Sequence, residues 1–257
     1  MPNYSSSSST SSQPQGLPGG LVKVFVIHAA QFTERRKRIE SQLAAIGLPF
    51  EFVHEFDVPD ITDDIKHQFF AHAALSSSQQ SCALKHWYVM KHVVEGGFSH
   101  TLIFEDDVIL APNFLPVLYD LMRELVAASH GADVTFLGCG GHYYVSADEV
   151  RPGQLLYPRN QGKFADSYIV SFEAARRRLD WIAVHGITQP IDHLFELIDR
   201  QNVTSMLWLE PPVVEQGSHN GTFSSALDKS HPRWFQFLQF RWKKAWRRRQ
   251  HSTDQNK

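Results

Sequence analysis

The chain has 257 residues, of which 42% are hydrophobic and 20% charged, and its net charge is −2. These values are ordinary for a globular protein with a real core, and the length suits one α/β domain with tails. The first residues have neither the basic start nor the apolar core of a secretory signal, and no apolar run is long enough to span a bilayer. The two cysteines form no Cys-x-x-Cys pair, which favours a reducing compartment. The sequence therefore predicts a soluble or peripheral protein.

The predicted elements alternate between strands and helices. Residues 1–20 are rich in Ser, Pro and Gly and are expected to form a disordered leader. The domain over residues 21–230 is predicted to be α/β, with a mostly parallel sheet flanked by helices. Its predicted strands are 21–27, 50–53, 101–110, 133–138, 167–171 and 203–209, its helical segments are 33–47, 63–95, 113–128, 172–184 and 191–200, and 139–163 is predicted to be a long active-site loop.

Three consecutive carboxylates, Glu105, Asp106 and Asp107, stand where the strand at 101–110 meets a loop. Ionised groups are costly to bury unless they are paired or bind a metal. If the backbone stays extended, Glu105 and Asp107 share a face and Asp106 points away. Two oxygen ligands at the carboxyl end of a strand suit a hard divalent ion that holds a phosphorylated ligand. The alternative is an acidic loop that stays solvated.

The histidines leave alternatives open. His86 lies among apolar residues of a predicted helix. It is interpreted either as a half-buried structural residue or as a contact to a sugar donor. His219 lies in a late Gly-containing loop, as a third metal ligand, a phosphate contact or a plain loop residue. Cys82 falls in an apolar helix and is interpreted as a core residue.

The segment over residues 231–257 departs from the rest of the chain. Residues 233–249 hold seven Lys or Arg and no acidic residue, which leaves −9 for the remainder of the chain. Aromatic residues recur there at helical spacing between the basic ones, a pattern typical of a helix that binds an anionic membrane surface. Packing of these aromatics onto the domain is the alternative. Nucleic-acid binding is not expected, because the basic charge is confined to this tail.

Several ordered blocks resemble glycosyltransferase family 25, the group of lipopolysaccharide and collagen galactosyltransferases. The similarity runs over about residues 22–225. The nearly intact block is Leu-Ile-Phe-Glu-Asp-Asp-Val at 102–108, and the others are Ser-Cys-Ala-Leu-Lys-His at 81–86, Ser-Tyr-Ile-Val-Ser at 167–171, Pro-Ile-Asp at 190–192 and Pro-Pro-Val-Val-Glu-Gln at 211–216.

The resemblance implies a GT-A-type fold, a nucleotide-sugar donor such as a UDP-hexose, and a divalent ion, Mn²⁺ above all. Glu105 and Asp107 are the implied metal ligands, His219 is the candidate third ligand, and Asp106 touches the ribose or orients the other two. The predicted contacts to the sugar donor are Arg35, in the Arg-rich start of the first helix at 34–38, and His86 and Gln216 in the blocks above.

The chain departs from the family's pattern at a few positions. His28, Ala30 and Gln31 replace the Asn, Asp and Arg that usually end the first strand, where the nucleotide base would lie. Lys85 replaces the Ser before the histidine of the second block.

The resemblance also implies the reaction. An inverting transfer needs a base for the acceptor hydroxyl, and Asp192 is the predicted one, with a helix N-cap role as the alternative. The predicted function is transfer of a hexose, with galactose favoured, to a cell-envelope glycan such as lipopolysaccharide. The predicted location is the cytoplasmic face of the membrane. The alternative function is that of an inactive relative which binds a glycan or a membrane surface.

Overall fold

The computed structural model describes residues 17–70, 73–127, 132–140 and 143–217. The tail over 231–257, His219 and most of the predicted leader lie outside these residues. Leu17 packs against the core, so the described structure begins inside the predicted leader. None of the described helices combines the length and the apolar character that a membrane span requires.

A seven-stranded sheet forms the centre of the domain, in the order β2-β1-β3-β7-β5-β8-β6. Five strands run the same way, while β6 and β7 run against them. The predicted α/β class with a mostly parallel sheet is therefore confirmed. The strands are β1 Lys23–Ile27, β2 Glu51–Val53, β3 His100–Glu105, β4 Val108–Leu110, β5 Val134–Phe136, β6 Leu156–Arg159, β7 Ser167–Ser171, β8 Met206–Leu209 and β9 Val214–Gln216.

Helices cover both faces of the sheet, because successive residues of a buried strand point to opposite sides. The helices are α1 Thr33–Ala45, α2 Asp63–Phe70, α3 Ser77–Glu95, α4 Phe114–Ala127, α5 Phe172–His185 and α6 Ile191–Gln201, with a short 3₁₀ turn at Val58–Asp60. Phe25 and Ile103 pack on the side of α3, α5 and α6, whereas Val24 and Leu102 pack on the side of α1 and α4.

The helical pattern over 63–95 proves to be two helices. Ser76 begins α3 with a capping box: its Oγ accepts a hydrogen bond from the Gln79 backbone N–H at 3.3 Å, and its own N–H donates to Gln79 Oε1 at 2.9 Å. The polar cap satisfies backbone groups that a continuous helix would have paired internally.

The predicted extended backbone through the carboxylate triplet is wrong. Strand β3 ends at Glu105, and Asp106 and Asp107 form a turn that leads into β4. Strand β4 pairs antiparallel with β9 in a separate two-stranded sheet, which sets Val108 opposite Gln216. The prediction of a long loop over 139–163 is also partly wrong, because β6 lies within these residues and pairs with β8.

Candidate active site

A crevice of about 330 Å³ opens at the carboxyl ends of the parallel strands β1 and β3. In α/β sheets this edge is the usual place for ligands. The crevice walls come from the loop after β1, the first turn of α1, the segment around residues 57–60, the first half of α3, the triplet and the end of β9. Its lining includes Phe32, Arg35, Lys85, Glu105, Asp106, Asp107 and Gln216.

Asp106 is the anchored member of the triplet. Its Oδ2 lies 2.7 Å from His28 Nδ1 and accepts a longer hydrogen bond of 3.4 Å from the Ala29 backbone N–H. Its Oδ1 accepts a hydrogen bond from Arg35 Nη1 at 3.2 Å. These contacts use both oxygens, so Asp106 orients the turn instead of adding a ligand for a metal. Sequence reasoning had placed His28 near the nucleotide base, but its side chain is buried behind this carboxylate.

Asp107 is held by the strand that follows the double proline. The Gly217 N–H donates a hydrogen bond of 2.8 Å to the Asp107 backbone carbonyl. Arg35 Nη1 lies 3.9 Å from Asp107 Oδ2. Asp106 is 5% and Asp107 3% exposed, so the alternative of a solvated acidic loop is wrong.

Glu105 connects the triplet to α3 and β9. The Cys82 thiol donates a 3.6 Å hydrogen bond to Glu105 Oε1, and Gln216 Nε2 donates one of 3.5 Å to Oε2. Burial raises the pKa of Glu105 well above its usual range, and the charges of Asp107 and nearby carboxylates raise it further. Gln216, predicted as a contact to the nucleotide-sugar donor, therefore does line the crevice, beside Glu105.

His86 lies beneath Glu105 and does not line the crevice. Its ring is fully buried, with Nδ1 2.9 Å from the Tyr168 hydroxyl and Nε2 3.4 Å from Glu105 Oε1. Burial, reinforced by the charge of Arg178, lowers the pKa of His86 to about 3, so the ring is neutral. His86 therefore supports the Glu105 carboxylate from below. It is not placed to contact a nucleotide-sugar donor in the crevice.

Asp166 is the carboxylate that sequence reasoning missed. It immediately precedes β7, which runs antiparallel to β3 and pairs Ser167 with Phe104, so Asp166 lies beside Glu105 at the same edge of the sheet. The Glu105 N–H donates a 2.9 Å hydrogen bond to the Asp166 carbonyl. Burial, and then the charge of Asp107, raises the pKa of Asp166 to about 7. A Cβ on Gly138 would lie 2.9 Å from both Asp166 carboxylate oxygens, so the carboxyl needs glycine behind it.

A second, smaller chamber of about 120 Å³ adjoins the crevice and contains the predicted base Asp192. The N-cap of α6 is Pro190, and Asp192 lies in the first turn with its Oδ1 accepting a hydrogen bond from the His193 N–H at 3.0 Å. The N-cap alternative for Asp192 is therefore wrong. Cys82 and Glu105 line both cavities, so Cys82, which packs against the core, also lies at the junction of the two.

Two cations line the same crevice as the carboxylates. Arg35 bridges toward Asp106 and Asp107, as described above. Lys85 is buried, and its Nζ donates hydrogen bonds to the backbone carbonyls of His54 at 3.0 Å and Glu55 at 2.7 Å. The same Nζ lies 3.0 Å from Asp57 Oδ1. A ligand that carries phosphate groups would meet both positive charges here.

The carboxylates that line the crevice are suitable ligands for a divalent cation. Glu105 and Asp107 line one crevice, and their mutual repulsion with Asp166 is visible in the raised pKa values. A bound cation would offset that repulsion. Among the described residues, one group of three His, Cys, Asp or Glu side chains holds its ligand atoms within 4.8 Å of one another, namely Cys82, His86 and Glu105. Asp107 is not part of that group, and the predicted third ligand His219 lies outside the described residues.

This α/β architecture, with cations and carboxylates at the carboxyl ends of parallel strands, is typical of proteins that bind phosphorylated ligands with a divalent ion. Residues 21–138 match the family model described as "Glycosyltransferase family 25 (LPS biosynthesis protein)". The resemblance to glycosyltransferase family 25 is therefore confirmed over these residues.

Three curated relatives illustrate the range of that family. The chain is 28% identical over 130 residues to "Probable inactive glycosyltransferase 25 family member 3" of Rattus norvegicus, covering 46% of this chain and 23% of that protein. It is 25% identical over 92 residues to "Lipooligosaccharide biosynthesis protein lic2B" of Haemophilus influenzae, covering 35% of each. It is 28% identical over 89 residues to "Lacto-N-neotetraose biosynthesis glycosyltransferase LgtB" of Neisseria meningitidis, covering 33% of this chain and 32% of that one. The chain thus spans between 23% and 35% of the length of these relatives.

Proposed function

We propose that the chain is a metal-dependent glycosyltransferase that transfers a hexose from a nucleotide sugar to a hydroxyl of a cell-envelope glycan, with galactose as the favoured hexose. The observation that carries the proposal is the crevice itself, whose lining brings Arg35 and Lys85 together with Glu105 and Asp107. Cations and carboxylates in one crevice suit a diphosphate held together with a divalent ion. Two bacterial relatives named for lipooligosaccharide or lacto-N-neotetraose biosynthesis support a glycan acceptor.

Phe32 and Arg35 prepare the nucleotide end of the crevice. The Arg35 guanidinium lies 4.2 Å from the centre of the Phe32 ring, so the two planar groups form one wall. A nucleotide base stacks favourably on such a wall, while the guanidinium reaches the phosphates. Ala30 and Gln31 line the same end with small or polar side chains in place of the family's charged ones.

The leaving group is a nucleoside diphosphate, whose charge grows as the bond between sugar and oxygen breaks. A divalent ion on Glu105 and Asp107 would supply Lewis-acid stabilisation of that charge. Arg35 and Lys85 add fixed positive charge at the same crevice, and the buried hydrogen bonds of Lys85 hold its ammonium in place. Asp106, fixed by His28, orients the turn that carries Asp107.

Asp192 is the group we assign to proton removal, in a transfer that proceeds with inversion. It lines the chamber next to Glu105, so an acceptor hydroxyl there would lie on the far side of the junction from the diphosphate. A carboxylate in that position can accept the proton as the hydroxyl attacks.

The test is turnover of purified protein with Mn²⁺ and a panel of UDP-, GDP- and CMP-sugars, followed as release of the nucleotide. We expect one UDP-hexose to turn over with Mn²⁺ and not with EDTA, and Asp192→Asn to lower kcat by about 100-fold or more while UDP binding is unchanged. No turnover and no binding with any donor would contradict the proposal.

The second candidate function is that of an inactive relative that binds a glycan. It is favoured by the relatives named as inactive and by His28, Ala30 and Gln31, which depart from the family's pattern. Calorimetry separates the two functions. Glycan binding that is indifferent to UDP and Mn²⁺ favours the inactive relative, whereas saturable, Mn²⁺-dependent UDP binding favours the enzyme.

We also propose that residues 231–257 hold the protein at the inner face of an anionic membrane. This rests on the sequence pattern alone, since the tail lies outside the described residues. The seven basic residues over 233–249 provide the charge, and the aromatic residues interspersed among them provide the apolar surface, that such binding needs.

A further inference from the structure

We propose that the second chamber receives the terminal sugar of the acceptor, and that this sugar is uncharged. The inference rests on the proposed function, because it takes the larger crevice as the place of the nucleotide sugar. It adds the class of acceptor, which neither the family match nor the relatives assign to this chain.

The two cavities meet at a shared wall. Cys82, Glu105 and Gln216 line both the crevice of about 330 Å³ and the chamber of about 120 Å³. A ligand in the chamber would therefore lie next to one in the crevice, with the Glu105 carboxyl at the contact. Transfer between two substrates requires such an arrangement, since the reacting atoms must come together.

Charge distinguishes the two cavities. The crevice is lined by Arg35 and Lys85, whereas no Lys or Arg among the described residues lines the chamber. The chamber is lined instead by three carboxyl groups, those of Glu105, Asp166 and Asp192. A phosphate or a sugar carboxylate placed there would lie close to these carboxyl groups, with no Lys or Arg in the chamber lining to offset the repulsion.

The chamber nevertheless offers places for hydroxyl groups. Asp166 and Gln216 line it, and each carries a buried oxygen, Asp166 Oδ2 and Gln216 Oε1, that has no hydrogen-bond partner among the described residues. Sugar hydroxyls can donate to both oxygens, which would satisfy otherwise costly buried groups. Phe164 and Pro190 supply apolar walls for the C–H faces of a sugar ring. Apolar walls with a few convergent polar atoms are the usual make-up of a small-molecule site.

Gln79 allows the charge argument to be tested without touching the carboxylates. It lines the chamber from the first turn of α3, and the neighbouring Gln80 does not. Gln79→Lys would introduce a positive charge at the chamber, while Gln80→Lys places the same charge one residue further along the same helix as a matched control. Circular dichroism and thermal unfolding verify that both variants are folded.

The measurement is binding of methyl hexopyranosides and of their 6-phosphates, by isothermal titration calorimetry on the full chain with UDP and Mn²⁺ present. For wild type we expect at least one neutral glycoside to bind about tenfold more tightly than its 6-phosphate. Gln79→Lys should bring this ratio to about one or reverse it, and Gln80→Lys should leave it unchanged.

Equal or tighter binding of the 6-phosphate by wild type would overturn the inference, as would the absence of binding by every neutral glycoside. An unchanged ratio in Gln79→Lys would overturn it too. The proposed function fails on a different result, the absence of Mn²⁺-dependent UDP binding in the same samples, so the two failures are distinguishable.

Discussion

His28 Nδ1 lies 2.7 Å from Asp106 Oδ2, and both side chains are buried. The pair joins the end of β1 to the turn after β3, two neighbouring parallel strands. Arg35 Nη1 holds the other oxygen of Asp106 at 3.2 Å. A position that looked like a departure at the nucleotide base is therefore part of the support of the carboxylate turn.

Replacing His28 tests that support. We expect His28→Ala to lower the free energy of unfolding by about 1–3 kcal/mol, because it removes a hydrogen bond to a buried carboxylate and leaves a small cavity. His28→Asn, which restores the residue typical of the family and keeps a donor, should lose less than half as much. Urea denaturation measures both. Equal losses for Ala and Asn would show that the hydrogen bond to Asp106 contributes nothing.

Asp166 predicts how stability changes with pH. Its pKa is raised to about 7 in the folded protein by burial and by the charge of Asp107, against about 3.9 for an unfolded Asp. The folded state therefore binds the extra proton, and this contribution is full below the unfolded pKa and is lost as the pH rises through about 7.

Asp166→Asn removes this contribution. The variant should gain stability relative to wild type between about pH 4 and pH 7, by a few kcal/mol at most, and the difference should level off above that range. Urea denaturation across the pH range, without added metal, measures it. Asp120→Asn, on the exposed surface of α4, serves as the control for the same change at a site away from the crevice. A flat difference for Asp166→Asn would contradict the burial of a proton-binding carboxyl.

The basic tail gives a prediction that is separate from the chemistry. Deletion of residues 231–257 should abolish co-sedimentation with vesicles that contain phosphatidylserine, because each Lys or Arg near an anionic surface contributes about 1 kcal/mol. Neutral phosphatidylcholine vesicles are the control, and turnover of a soluble acceptor should not change. Unchanged sedimentation of the deleted protein would exclude the tail as a membrane anchor.

The hydrophobic patterns predicted most of the sheet and its helices. Strand β7 is found over the predicted residues 167–171, and α4 differs from its prediction by one residue at each end. The patterns failed where neighbours in space decide the structure. The residues of β4 were predicted as the end of one strand over 101–110, and β9 was not predicted, because these two three-residue strands depend on pairing with one another.

The site shows the same division. The triplet and Gln216 were predicted from their blocks and do line one crevice. Asp166 was missed because its position depends on β7 running against β3, and the expected parallel sheet would have placed the residue before β7 at the opposite edge. His86 was predicted as a half-buried structural residue or a contact to the sugar donor, yet packing against Tyr168 and Phe195 buries it completely.

The central claim is that Glu105 and Asp107 hold a divalent ion together with a nucleoside diphosphate. Calorimetric titration of UDP into the full-length protein, with Mn²⁺ or with EDTA, tests it most directly in wild type and in Asp107→Asn. We expect saturable UDP binding to wild type only when Mn²⁺ is present. The affinity for UDP should fall by about 100-fold in Asp107→Asn, since one charged metal ligand is worth roughly 3 kcal/mol. UDP affinity that is the same with EDTA, or the same in Asp107→Asn, would contradict the claim.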